Sequence, residues 1–274
     1  MINLNKSINL VLQGGGIKGL AYVGALRYLE ENNYTINYIS GSSVGAIIGG
    51  LVSAGYDSYE LETIINGLSY NALASKNNIS DTLRKRGFHS IRKLEKYIDY
   101  LLIKKNKRLF GDFKVGNNYK IIIISTSINS KRIFVLPYDL KLLNINPDSF
   151  PVSKAIAMSA SMPLFYEPYI LNGYKFYDGG VSDNYPTWCF SNALALKLSN
   201  ENKTIKKIKN RIFGSINNKS SIKEIFIDTK EFKSTDLKKG LVNKYVLYNK
   251  GYYALKNYLE KNNDIWYNYW KRVI

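Results

Sequence analysis

The chain is poor in the residues that build metal sites, disulfides and proton relays: its 274 residues include one cysteine, Cys189, and one histidine, His89. A single cysteine excludes an intrachain disulfide framework, and one Cys with one His excludes a Cys/His zinc site made by this chain alone. Carboxylates are also few, 21 Asp and Glu against 39 Lys and Arg, which leaves a formal charge of +18. Long apolar runs are missing. The longest candidate, "VGAIIGGLVSAG", falls short of the ~18 or more residues of a membrane span, and "MINLNKSINLVLQGGG" is broken by Gln13 and glycines too early for a signal-peptide core. The expectation is a soluble protein, cytoplasmic or peripheral to a membrane, with no resident metal or cofactor; delivery into a host cell stays compatible with the sequence.

What is present is an ordinary globular composition, 45% hydrophobic and 22% charged, in a chain long enough for one sizeable α/β domain. No internal repeat or linker divides it. The basic excess is an electrostatic footprint for an anionic membrane surface or for nucleic acid, concentrated at residues 84–108 and 203–223. A bias toward Lys, Asn, Ile and Tyr, of the kind an AT-rich genome imposes, accounts for part of it.

Periodicity gives the elements. "SINLVLQ" at 7–13 reads as a buried strand and is followed by a helix whose stripe is Tyr22, Ala25, Leu26 and Leu29. "INYIS" at 36–40 makes a second strand, parallel to the first through a βαβ unit. A helix capped by Asp57 or Ser58 buries Leu61, Ile64, Ile65 and Leu68; residues 70–88 are unpatterned and read as a mobile loop; a basic helix from Ser90 buries Ile91, Leu94, Ile98 and Leu101. "YKIIIISTSI" and "KRIFVLP" read as a buried strand and its hairpin partner. Residues 151–187 suggest a short small-residue helix, a strand and a glycine turn; "NALALKLS" and "KEIFIDTKE" are strands, and the tail from Asp236 is helical.

Two loops follow the first two strands. "QGGGIKG" matches G-x-G-x-x-G through Gly14, Gly16 and Gly19, the pattern of a dinucleotide-binding loop. The second strand, however, ends without the acidic residue that holds a ribose hydroxyl. It ends in "GSSVG", residues 41–45, a G-x-S-x-G elbow that lifts Ser43 above a strand-to-helix turn. Side by side at the carboxyl edge of a parallel sheet, Gly14, Gly15 and Gly16 would aim amides at an oxyanion formed when Ser43 attacks a carbonyl. His89 lies in a basic stretch where a surface or capping role is the ordinary one, so the proton acceptor is sought among carboxylates. Asp178 in "YDGGVSDNYP" is the best of them, because two glycines leave room for close approach.

"QGGGIKG", "GSSVG", "SASMPLFYEP" and "YDGGVSDNYP", in this order, closely resemble the motifs of the patatin-like phospholipases. The resemblance implies a three-layer α/β/α fold with a mainly parallel central sheet, a patatin-like variant of the α/β-hydrolase theme. It implies one domain over 1–274, with core motifs at 8–187 and the basic, Tyr-rich part 188–274 completing it. It further implies a Ser43–Asp178 dyad, an oxyanion hole at Gly14, Gly15 and Gly16, and a family basic position at Lys18, serving substrate phosphate or loop support. No metal or cofactor is implied. The function so indicated is a phospholipase A-type esterase of membrane phospholipids, with an anionic membrane surface as partner and nucleic acid not expected. Headgroup, acyl position, oligomeric state and any activating protein factor are not written in these motifs. The alternative reading is a catalytically idle or differently specific basic module that binds anionic membranes or nucleic acid.

Overall fold

Apolar residues with polar ends suit a strand covered on both faces, and β1 (Lys6–Leu12) lies this way, with Leu10, Val11 and Leu12 fully buried. The computed structural model describes residues 6–67, 90–163, 165–198, 211–212 and 221–273, the side chains of 221 and 262–273 excepted. From β1 the chain passes through the glycine loop and a 3-10 turn into α1 (Ala21–Glu31), whose Tyr22, Ala25, Leu26 and Leu29 expose nothing. It returns as β2 (Tyr34–Ser42), parallel to β1. β2 runs past "INYIS" into the elbow itself, because Ser40 and Gly41 stay in register with Val11 and Leu12.

α2 (Val44–Ala54) starts directly behind Ser43. α3 (Ser58–Gly67) buries Leu61 and Ile65. Its cap is Asp57, whose Oδ1 accepts from the Glu60 N–H at 2.8 Å while Glu60 accepts from the Asp57 N–H at 3.1 Å. Leu68, the expected loop 70–88 and His89 lie outside the described residues. α4 (Ile91–Lys104) buries Ile91, Ile98 and Leu101, with Leu94 half-buried. A small hairpin, β3 (Lys114–Val115) and β4 (Asn118–Tyr119), leads to β5 (Ile121–Ser127), buried along its whole length. Then follow β6 (Arg132–Leu136), α5 (Val152–Ala160), β7 (Tyr169–Leu171), β8 (Tyr174–Asp178), β9 (Asn192–Lys197), β10 (Ser221–Phe226), α6 (Leu237–Val242) and α7 (Lys244–Val273).

β10, β9, β1, β2 and β5 are parallel neighbours in that order. β6, β8 and β7 join antiparallel. The fold is therefore α/β with a mostly parallel central sheet flanked by helices, as expected, and mixed on the β5 side. The C-terminal part packs onto the first helix. A Cβ added at Gly24 would lie 1.8 Å from the Tyr248 carbonyl oxygen, and one at Gly251 1.7 Å from that of Ala21, so the backbones of α1 and α7 touch where both helices carry glycine. Among the described residues no helix is long and apolar enough to cross a membrane.

Candidate active site

β5 organises the site. Along one edge it carries parallel β2, ending at the pair Ser42 with Ile124, and antiparallel β8, beginning at the next residue with the pair Asp178 and Ser125. The opposite edge is taken by β6, which pairs with Ile123 through Ser127. β2 and β8 therefore point at each other along the same edge and meet end to end. One brings Ser43 and the other Asp178.

Ser43 has φ +54° and ψ −123°, a region costing about 1–3 kcal/mol for a residue with a side chain. Several contacts fix it there. Its N–H donates to the Ser159 hydroxyl at 2.9 Å, and its carbonyl accepts from Ala46 at 2.9 Å and Ile47 at 3.1 Å, starting α2. The flanking glycines are steric requirements. A Cβ on Gly41 would come within 2.5 Å of the Gly45 carbonyl, and one on Gly45 within 2.3 Å of the Leu12 oxygen. Ser43 exposes 8% of its surface.

Asp178 closes β8 and exposes 6%. Its N–H donates to the Ser161 carbonyl at 2.9 Å, and its carbonyl accepts from the Thr126 hydroxyl at 3.0 Å. Its Oδ1 accepts from the Gly180 N–H at 2.7 Å. A Cβ on Gly179 would lie 2.4 Å from the Ser42 hydroxyl, so the DGG turn abuts the elbow.

The glycine loop lies against both. A Cβ on Gly14 would stand 3.1 Å from the Ser43 Cβ. The expectation of three converging amides is corrected here. The Gly14 N–H donates to the Asn184 carbonyl at 2.9 Å, and the Asn184 side chain donates back to the Gly14 carbonyl at 3.0 Å. That amide is spent on holding the loop. The N–H groups of Gly15 and Gly16, both partly exposed, meet no acceptor among the described residues. Gly16 has φ +55°, and a Cβ there would strike the Ser234 carbonyl at 2.2 Å. Lys18 follows in the same turn, 9% exposed, and burial lowers its pKa.

Ser43 also lines an apolar cavity of about 210 Å³. Its walls include Ile47 and Leu51 of α2, Ile64 of α3, Leu94 and Tyr97 of α4, and Phe165. Periodicity assigned several of these side chains to helix stripes facing a core; at this point the core is hollow. Sequence reasoning gave no role to Ser159 or Asn184, although both lie in or beside the quoted blocks "SASMPLFYEP" and "YDGGVSDNYP". Their only signal was that position.

The site can be compared with known proteins. The sequence profile of the patatin-like phospholipase family matches residues 10–190. Protein YqhO of Bacillus subtilis is 34% identical over 197 residues, covering 67% of this chain and 67% of its own length. A probable lipid hydrolase of Invertebrate iridescent virus 6 is 28% identical over 184 residues, covering 65% of this chain and 61% of its own. Among solved structures, ExoU in its complex with SpcU from Pseudomonas aeruginosa shares the fold, with a TM-score of 0.54 at 18% identity over 93% of this chain and 51% of that one. The matches thus span from about half to two thirds of those proteins. On the family match and the YqhO relation together, the chain belongs to the patatin-like phospholipase family.

Proposed function

We propose that the protein is a lipid acyl hydrolase, a phospholipase A-type esterase working through Ser43 and Asp178 within one domain spanning 1–274. The observation that carries this reading is the end-to-end meeting of β2 and β8 on β5, beside an apolar cavity that reaches Ser43. The family match and the name of the viral relative support the substrate class.

Asp178 takes the proton of the Ser43 hydroxyl as the oxygen attacks the ester carbonyl carbon. The tetrahedral oxyanion accepts from the N–H groups of Gly15 and Gly16, in a turn that leads into α1 and adds its positive end. The intermediate then collapses, the alcohol of the lysophospholipid leaves with the proton from Asp178, and the acyl group stays on Ser43. Water gives a proton to Asp178, attacks the acyl-enzyme, and the fatty acid leaves as the proton returns to Ser43. The strained elbow keeps the Ser43 hydroxyl at the cavity wall, where an acyl chain would lie. Lys18, buried with no carboxylate paired to it among the described residues, is placed to meet an anionic headgroup or to hold the loop. The substrate is a phospholipid of an anionic membrane.

A fluorophosphonate probe and a mixed phospholipid substrate test the reading together. The wild type should be labelled and should release fatty acid and lysophospholipid, detected by mass spectrometry. Ser43→Ala and Asp178→Asn should each abolish both. Full activity in Asp178→Asn would remove the dyad, and probe labelling absent from the folded wild type would remove the enzyme.

A further inference from the structure

An enzyme that draws acyl chains out of a bilayer has to present its cavity to that bilayer, and the outer face of α4 is built for contact with one. Lys93, Lys96, Tyr97, Tyr100, Ile103 and Lys104 are exposed and recur at helical spacing, which places them on one stripe. Tyr100 exposes 52% and Ile103 50% of their surface. The two acids of α4 are engaged beside the stripe: Glu95 with Arg92 at 2.8 Å, and Asp99 with the Ser153 hydroxyl at 2.9 Å. Lys96 and Lys104 have no carboxylate partner among the described residues; the Lys104 ammonium lies over the Tyr100 ring at 4.6 Å. On its inner side the same helix lines the Ser43 cavity through Leu94, Ile98 and Leu101, and Tyr97 belongs to both surfaces.

We infer that this stripe docks the enzyme on an anionic phospholipid bilayer, with Lys96 and Lys104 at the headgroups and Tyr100 and Ile103 in the interfacial layer, so that the cavity opens onto the acyl chains. The inference rests on the lipid-hydrolase reading of the Ser43 site. Lysines near an anionic leaflet gain from its negative potential, and tyrosine suits a boundary where its ring is sheltered and its hydroxyl is wet. Nucleic acid would use the lysines but would have no use for Ile103 or for continuity with an apolar cavity.

The test separates docking from chemistry. Ser43→Ala protein is sedimented with vesicles of phosphatidylcholine alone and with added phosphatidylserine. Binding should need the phosphatidylserine and weaken as salt rises. Lys96→Gln with Lys104→Gln should lower affinity about twenty-fivefold, from about fivefold for each positive charge lost, and Tyr100→Ser with Ile103→Ser should also weaken binding. In the active enzyme both pairs should slow hydrolysis of vesicle lipid while leaving hydrolysis of dispersed p-nitrophenyl butyrate unchanged, since none of the four residues lines the cavity. Vesicle binding unchanged in both double variants overturns the inference, as does binding indifferent to phosphatidylserine, or retention on RNA without vesicle binding. Failure of the wild type to hydrolyse the dispersed ester would instead overturn the reading of Ser43, and the sedimentation result would still stand on its own.

Discussion

The Ser159 hydroxyl joins the elbow to the central strand: it accepts from the Ser43 N–H at 2.9 Å and donates to the Ile124 carbonyl at 2.6 Å. Ser159 exposes nothing, so Ser159→Ala leaves a buried donor and a buried acceptor without their partner. That costs about 1–3 kcal/mol of stability, to be read by urea unfolding. It also frees Ser43 from the bond that holds its left-handed backbone. We predict a fall in kcat and in fluorophosphonate labelling rate with KM little changed. A variant that loses stability but keeps kcat would show that Ser159 supports the fold and not the nucleophile.

Asn184 holds the glycine loop from two sides, and its Oδ1 also flanks Gly180, the residue whose N–H donates to Asp178. Asn184→Ala removes one hydrogen bond and should cost about 1 kcal/mol. Asn184→Asp is more informative. It sets a carboxylate against the Gly14 carbonyl and a second negative charge near Asp178, which raises the pKa of a neighbouring carboxyl. The acid limb of kcat/KM should therefore move to higher pH in Asn184→Asp and stay in place in Asn184→Ala. Equal profiles for the two variants would count against Asp178 as the titrating base.

Tyr22 gives a prediction about the fold at alkaline pH. Its hydroxyl is fully buried and donates to the Gln13 carbonyl at 2.5 Å, at the start of the glycine loop. Burial raises its pKa well above the ordinary 10. Above pH 10 the unfolded chain releases this proton while the folded chain keeps it, so the folded state binds more protons and stability falls as pH rises; below pH 10 the group contributes no slope. Burial pushes Tyr169, Tyr185 and Tyr248 the same way. Urea unfolding should show a plateau up to pH 10 and a steep decline beyond it. Tyr22→Phe should flatten that decline by up to about 1.4 kcal/mol per pH unit; an unchanged slope would mean that the hydroxyl ionises freely in the fold.

The sequence carried the local geometry of the site and little of its assembly. Gly41 and Gly45 announce the elbow because each is forced by a carbonyl a few ångströms away, and "SINLVLQ" announces a buried strand because nothing polar interrupts it. The junction of β2 and β8 on neighbouring residues of β5 is different in kind. It depends on register between β5 and two segments, one about fifty and the other about eighty residues away in sequence, and no local pattern encodes it; the two glycines after Asp178 and the resemblance to a family were what paired it with Ser43. The commitment of the Gly14 amide to Asn184 was invisible for the same reason. The cavity reads as core in the sequence, since Ile64 and Leu94 have the same periodicity whether the space between helices is filled or empty.

That empty space sets a rule for substrate length. The cavity is bounded mostly by apolar side chains, those of α2, α3 and α4 together with Ile17, Leu20, Met162 and Phe165, so each methylene that leaves water for it gains about 0.8 kcal/mol, close to a fourfold rise in kcat/KM per methylene until the space is full. A series of p-nitrophenyl esters of rising chain length should show this climb and then a plateau. Ile64→Trp, which fills the cavity from the α3 side, should bring the plateau to shorter chains and leave the shortest ester unaffected, because Ser43, Asp178 and the glycine loop belong to other elements. A chain-length profile that is flat in the wild type, or the same in Ile64→Trp, would mean that the acyl chain lies elsewhere.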